Sequence, residues 1–441
     1  AIDYGGNVGT APSVVLNVIP DPGTSVTGRV LDGDANPLSG FIAQVIGHSS
    51  ITAADGTFSI PNVPTVSVGV NGITVQTLGV DNGVVRSGTS ATVPAVIGGT
   101  TNVGDIVTVA RPLIMTSSAG SAVTAIDTSQ NPPTTSATVG TPGANAEQVS
   151  ITPDGTKAFV SINGNGSPIR VFDMTKNPPA YVTDISRPGV ISSTITNTVS
   201  SDGRFLLAVW NGDVLTSIDT TTFKVISSYT FPSGGDGDQV AVTPDGTTVI
   251  LPDSSANVFR IISMSPIGTL TDTGKTIPYN FAFWTPNLAI APNGHFALIA
   301  NPSANYISIL RIDSQHNVTL SSTRIPVSSW PWGIDFTFDG SKAYVTVAGS
   351  ETPPKGASGM VAVLSIDAND NVTDSGTRIT IPNGIPLAPG YNGGAPDIAI
   401  AADGRAYIGN NAASITMVDT KTDTILGIIA VPNPSAVGVP K

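Results

Sequence analysis

The sequence predicts an all-β protein in which a small β-sandwich is followed by a seven-bladed β-propeller. Three observations predict it: a composition suited to strands and tight turns, a run of strand and turn signals in the first hundred residues, and an Asp-Gly turn that recurs along the remainder. At 441 residues the chain exceeds the size at which one hydrophobic core keeps growing, so several domains or a repeat array follow.

The composition excludes more than it assigns. With 11% charged and 40% hydrophobic residues and a mean hydropathy of +0.20, the chain can bury a core and is not a disordered polyelectrolyte. Gly (47) and Pro (35) are abundant, and the acids are almost all Asp, with Glu147 and Glu351 the only glutamates. Turns favour Asp, Gly and Pro and strands favour Val, Ile and Thr, whereas helices favour Glu, Lys and Leu.

The net charge of -12 and the absence of any lysine before Lys157 argue against nucleic acid, which demands a basic surface. The absence of cysteine excludes disulfides, thiolate metal sites and cysteine nucleophiles. No run of about 18 apolar residues is present to span a bilayer as a helix. A start at Ala1 without Met reads as a processed chain, so the expected location is secreted, extracellular or on the cell surface.

Residues 1–25 read as an extended lead-in whose Ser13-Val-Val-Leu-Asn-Val-Ile-Pro20 alternates like a strand. Such a strand either begins its own sandwich or adds to the sheet edge of another subunit. Residues 26–110 carry Val26-Thr-Gly-Arg-Val30, Asn36-Pro-Leu-Ser-Gly40 and Asp55-Gly-Thr-Phe-Ser-Ile60, in that order. They read as strand, turn, and hairpin turn followed by strand, with Gly28 allowing close backbone approach and Phe58 and Ile60 facing the core. The block resembles the carboxypeptidase regulatory-like domain, a transthyretin-like sandwich, and the resemblance implies a spacer or attachment module.

Residues 111–441 repeat two marks. The first is the turn at Asp154-Gly155, Asp202-Gly203, Asp245-Gly246, Asn293-Gly294, Asp339-Gly340 and Asp403-Gly404. The second is an apolar strand ending at Asp127, Asp173, Asp219, Asp313, Asp367 or Asp419, with Ser263 in the divergent fourth copy. Successive turn glycines lie 48, 43, 48, 46 and 64 residues apart, close to the length of a four-stranded blade. Asp339-Gly-Ser-Lys-Ala-Tyr-Val345 and Ser414-Ile-Thr-Met-Val-Asp419 resemble the YVTN propeller repeat, kin to the lactonase-like seven-bladed propellers. Six turns make six blades, and the strand around Ser435–Val439 is expected to complete the first blade and close the ring.

The candidate site residues are few. Asp32, Asp34 and Asn36 begin like a calcium loop, but Pro37 and Ala43 stand where such a loop needs Gly and a carboxylate; calcium is the one cofactor the sequence leaves open. Trp330 and Trp332, near the start of an inner strand, and Tyr391, in the long sixth interval, are candidate ligand-binding aromatics. The insertions around 351–357 and 382–394 are the expected place for a specific surface.

His48, His295 and His316 are expected in three separate modules or blades, and no G-x-S-x-G elbow is present, so no catalytic residue is assigned. The repeated aspartates read as turn caps. The function expected is a non-enzymatic structural or adhesive component of a surface layer, fibre or matrix. Its partners would be further copies of itself or other surface proteins and glycans. The alternatives are a lactonase-like hydrolase at the propeller's axial face, or a carbohydrate- or peptide-binding propeller.

Overall fold

The computed structural model describes residues 21–65, 72–81, 84–111, 113–118, 122–129, 133–140, 145–163, 168–186, 194–232, 237, 239–281, 287–301, 305–327, 330–347, 359–382, 384, 398–410, 413–432 and 434–441. Every regular element among them is a β-strand, and no helix is long and apolar enough to cross a membrane. The lead-in strand expected at 13–20 and most of both insertions lie outside these residues.

The first eight strands are β1 (Thr24–Leu31), β2 (Ile42–Val45), β3 (His48–Ile51), β4 (Thr57–Val63), β5 (Gln76–Asp81), β6 (Val84–Thr89), β7 (Thr100–Val107) and β8 (Val109–Ala110). They form a three-stranded sheet, β4-β1-β7, and a five-stranded sheet, β3-β2-β5-β6-β8. β1 runs antiparallel to β4, with Gly28 opposite Phe58, and parallel to β7, with Val26 opposite Thr101.

Gly28 has no side chain for a concrete reason: a Cβ there would stand 2.8 Å from both the Phe58 ring and Val103. Gly56 takes a φ of +77° in the Asp-Gly turn that returns the chain beneath β1. Val26, Val30, Phe41, Phe58, Ile60 and Val75 fill the space between the two sheets.

Seven four-stranded antiparallel sheets follow. In blade two the strands from inside outward are Asn145–Ile151, Lys157–Asn163, Ile169–Asp173 and Ala180–Ile185. Blades three to seven repeat this order within 194–230, 241–278, 287–326, 331–380 and 398–430. Blade one is composite, as expected. Its inner strand Pro434–Gly438 pairs antiparallel with Leu113–Ser118, setting Val437 opposite Thr116, and Ala122–Asp127 and Thr134–Gly140 complete it.

Burial grades outward along each blade. The second strands Phe205–Trp210 and Phe296–Asn301 are buried throughout, while the outer strand Val225–Thr230 alternates exposed and half-buried. Apart from the sandwich core, the described residues form seven apolar clusters. One lies between each pair of neighbouring blades, and the cluster joining Ile114 and Val437 to Tyr407 and Ile415 closes blade seven onto blade one. The ring therefore leaves no unpaired face between blades.

Candidate functional site

The strand order fixes which residues share an end of the propeller. Asp-Gly turns join first to second strands, and the loops after the third-strand aspartates join third to fourth. Antiparallel pairing puts both at one end. The other end carries the links from second to third strand and from each outer strand to the next blade, including the two long insertions.

At the Asp-Gly end the carboxylates are committed to their own turns. Asp154 Oδ1 accepts hydrogen bonds from the Thr152 hydroxyl and from the Thr156 backbone N–H and hydroxyl. Asp245 and Asp339 repeat the arrangement with Thr243 and Thr247 and with Thr337 and Ser341. The third-strand aspartates cap the next turn in the same way: Asp173 with Thr175, Asp219 with Thr221 and Thr222.

Asp403 is the buried member of the series. Desolvation raises its pKa against the pull of its bond from the Arg405 N–H and of the Arg405 charge.

Asp32, Asp34 and Asn36 form a closed exposed loop. Asp32 Oδ1 accepts the N–H groups of Asp34 and Asn36 at 2.9 and 2.8 Å, and Oδ2 accepts the Asn36 side-chain amide at 2.9 Å. The Asn36 amide, followed by its backbone N–H, holds the Asp32 carboxyl below its ordinary pKa. The same Asp-x-x-x-Asn loop recurs at Asp313–Asn317 and Asp367–Asn371 in blades five and six. Three copies in two modules identify it as a turn device that satisfies backbone donors. Among the described residues no group of three or more His, Asp or Glu side chains converges as metal ligands would.

Trp330 and Trp332 lie at the opposite end. Trp330 is half-buried against the apolar cluster between blades six and seven. It takes a φ of +61°, and its N–H donates to Asn305 Oδ1 at 3.3 Å. Trp332 is half-buried in the inner strand Pro331–Phe336. Tyr391 lies outside the described residues. Trp210 is buried within blade three, its Nε1 donating to the Thr216 hydroxyl at 2.8 Å.

Sequence spacing gave no sign of how the two modules meet. The outward face of the sandwich's five-stranded sheet sits on the Asp-Gly end of blades two to four. Gln44 Nε2 donates to the Ser201 carbonyl at 3.0 Å, Gln76 Nε2 to the Asp202 carbonyl at 2.6 Å, and Arg111 Nε to the Asp154 carbonyl at 2.9 Å. The Ser87 hydroxyl also donates to the Asp154 carbonyl.

The β2–β3 hairpin lies so close to blade four that a Cβ on Gly47 would stand 2.4 Å from Asp245 Cα. Here two of the three sequence-distant histidines meet one carboxylate: His316 Nε2 lies 3.5 Å from Asp245 Oδ2, and the Asp245 charge acts on His48. Burial holds the His48 imidazole below its ordinary pKa, with Asp245 partly opposing. The expectation of three histidines in three separate modules or blades is corrected: His295 and His316 both belong to blade five, and module docking and blade packing bring His48 and His316 to the same turn. The signal available beforehand was only that Asp-Gly turns share an end.

Beside this contact is a groove of about 440 Å³ lined by Gln44, Gln76, Thr74, Thr92, Asp202 and Arg204, among others. Arg204 lies 3.9 Å from Asp202. The groove offers amides, hydroxyls and one guanidinium, which can hold a polar group. It has no nucleophile paired with a base.

No family model matches the chain, and no curated protein matches it. Solved structures do. A functionally unknown protein of Desulfotomaculum acetoxidans superposes with a TM-score of 0.62 at 20% identity, covering 75% of this chain and 99% of its own. A protein of Lactobacillus plantarum gives 0.57 at 13% identity, with 74% and 98% covered. A "putative 6-phosphogluconolactonase" of Bacteroides fragilis gives 0.57 at 13%, with 74% and 97% covered. The chain thus has a seven-bladed propeller of lactonase-like fold. At these identities the likeness speaks to fold alone.

Proposed function

We propose that this chain is a non-catalytic, self-associating component of an extracellular surface layer, fibre or matrix, in which a carboxypeptidase regulatory-like sandwich serves as the attachment module of a YVTN-type propeller. The observation that carries the reading is how the carboxylates are used. The Asp-Gly aspartates repeated around the ring each use Oδ1 to accept hydrogen bonds within their own turns, so the features that give the repeat its signature build a scaffold. The docked sandwich supports the same reading, because it covers the Asp-Gly end of blades two to four and leaves the insertion end and the rim for contacts. Low charge and a strand-rich chain suit an assembly built through sheet edges.

Electron microscopy of the full-length protein beside a version lacking residues 1–20 tests this. Ordered filaments or sheets that vanish on truncation are the expected result. Isolated particles in both samples overturn the assembling role and turn attention to ligands at the insertion end, where Trp330 and Trp332 stand.

A further inference from the structure

The seven outer strands form the rim of the ring, and each exposes one unpaired edge. Most are protected as solvent-exposed edges usually are, by charge. Blade two carries Asp184 in an ion pair with Arg170, blade four Asp272 and Lys275, blade five Arg324, and blade six the Asp374–Arg378 pair. The outer strands of blades one and three lack charge, but Ile226 is the only large hydrophobic residue exposed on them.

The outer strand of blade seven, Thr424–Ala430, differs from all of these. Its sequence Thr-Ile-Leu-Gly-Ile-Ile-Ala has no charge, and Ile425, Leu426 and Ile428 are 39%, 51% and 47% exposed.

We propose that this strand is a homotypic docking edge, pairing antiparallel with the same strand of a second copy. The inference rests on the assembling role proposed above and names one surface that role would use. Three features select a second copy as the occupant.

The first is symmetry. Ile425-Leu-Gly-Ile-Ile429 is apolar on both sides of Gly427, and a twofold axis needs a patch complementary to itself. The strand bulges at Leu426, between the residues paired with Met417 and Val418; with the axis at Gly427, Leu426 and Ile428 of each copy come to the same edge, so four exposed aliphatic side chains gather there. The second is charge. Two molecules of net charge -12 meet with least repulsion across an uncharged edge. The third is access. The sandwich covers blades two to four, across the ring from blade seven, so a second ring can approach without meeting it.

The chain contains no cysteine, so a single introduced thiol reports the pairing. Gly427 has an ordinary strand conformation, and a Cβ there meets only the Met417 methyl at 3.5 Å, so Gly427→Cys is compatible with the fold. In the proposed register the two introduced thiols face each other across the axis.

Full-length Gly427→Cys is expected to form a disulfide-linked dimer under mild oxidation, and Ser228→Cys, exposed on the blade-three rim, is not. Sedimentation of the wild-type chain is expected to show a concentration-dependent dimer, weakened about tenfold or more by Leu426→Lys or Ile428→Lys; circular dichroism checks that each variant folds. Wild-type assembly with no preferential Gly427→Cys cross-link, or assembly unmoved by both lysine variants, overturns the docking edge and leaves the assembling role standing. A wild-type chain that stays monomeric, together with a Gly427→Cys variant that does not cross-link, overturns both.

Discussion

Three histidines serve the molecule in two different ways. His295 Nδ1 lies 2.8 Å from Asp370 Oδ2 at an exposed turn, whereas His48 is partly buried at the junction of the two modules and its pKa is lowered by that burial. The folded protein therefore binds the His48 proton less readily than the unfolded chain does. Its contribution is full above the ordinary histidine pKa of 6.5 and is lost as pH falls through that value toward the lower folded one. The denaturation midpoint is expected to fall as the pH drops below 6.5, and His48→Gln is expected to flatten part of the fall. A midpoint with the same slope in both proteins would remove His48 from the account.

At the scale of the element, the sequence was most legible where a turn demands one residue type. Gly56, Gly155, Gly203, Gly246, Gly294, Gly340 and Gly404 all take positive φ, which is why their Asp-Gly and Asn-Gly pairs could be read as turns from spacing alone. The alternation of Phe58 and Ile60 likewise marked the buried face of β4. Contacts between elements distant in sequence were not legible, because no periodicity encodes them. Gln44, Gln76 and Ser87 look like ordinary polar strand residues until the sheet that bears them rests on the propeller. The Asp32 loop was half legible: its oxygen-rich pattern was visible, but only its recurrence at Asp313 and Asp367 shows a shared way of closing a turn.

Gly47 tests the docking most sharply. It combines a φ of +75° with backbone contact to Asp245, so Gly47→Val cannot fit without moving the hairpin away from blade four. The expected outcome is faster proteolysis between β7 and the first propeller strand, with circular dichroism unchanged. Cleavage no faster than wild type would show that the hairpin tolerates the side chain in place.

For the whole molecule, the decisive contact is the one that closes the ring. Removing residues 434–441 strips the inner strand from blade one and opens the apolar cluster around Ile114, Tyr407 and Val437. A loss of this kind exceeds the few kcal/mol of a typical core truncation, about 2–5 kcal/mol for one large aliphatic residue. The truncated chain is expected to aggregate or to melt at least ~10 °C lower, as differential scanning calorimetry would show. Unchanged melting would mean that the remaining three strands of blade one suffice.

The same closure imposes an order in time. The Thr116 hydroxyl donates to the carbonyl of Ala436 at 2.8 Å, across 320 residues of chain. At the usual pace of synthesis, about 5–20 residues per second, the first blade waits roughly 15–60 s for its missing strand while six later blades emerge. Through that interval the inner edge of Leu113–Ser118 is an open template for any passing strand. The cell making this protein must shield that edge or postpone folding until the last strand is available, so the ring's stability once closed is matched by a period of exposure while it is being made.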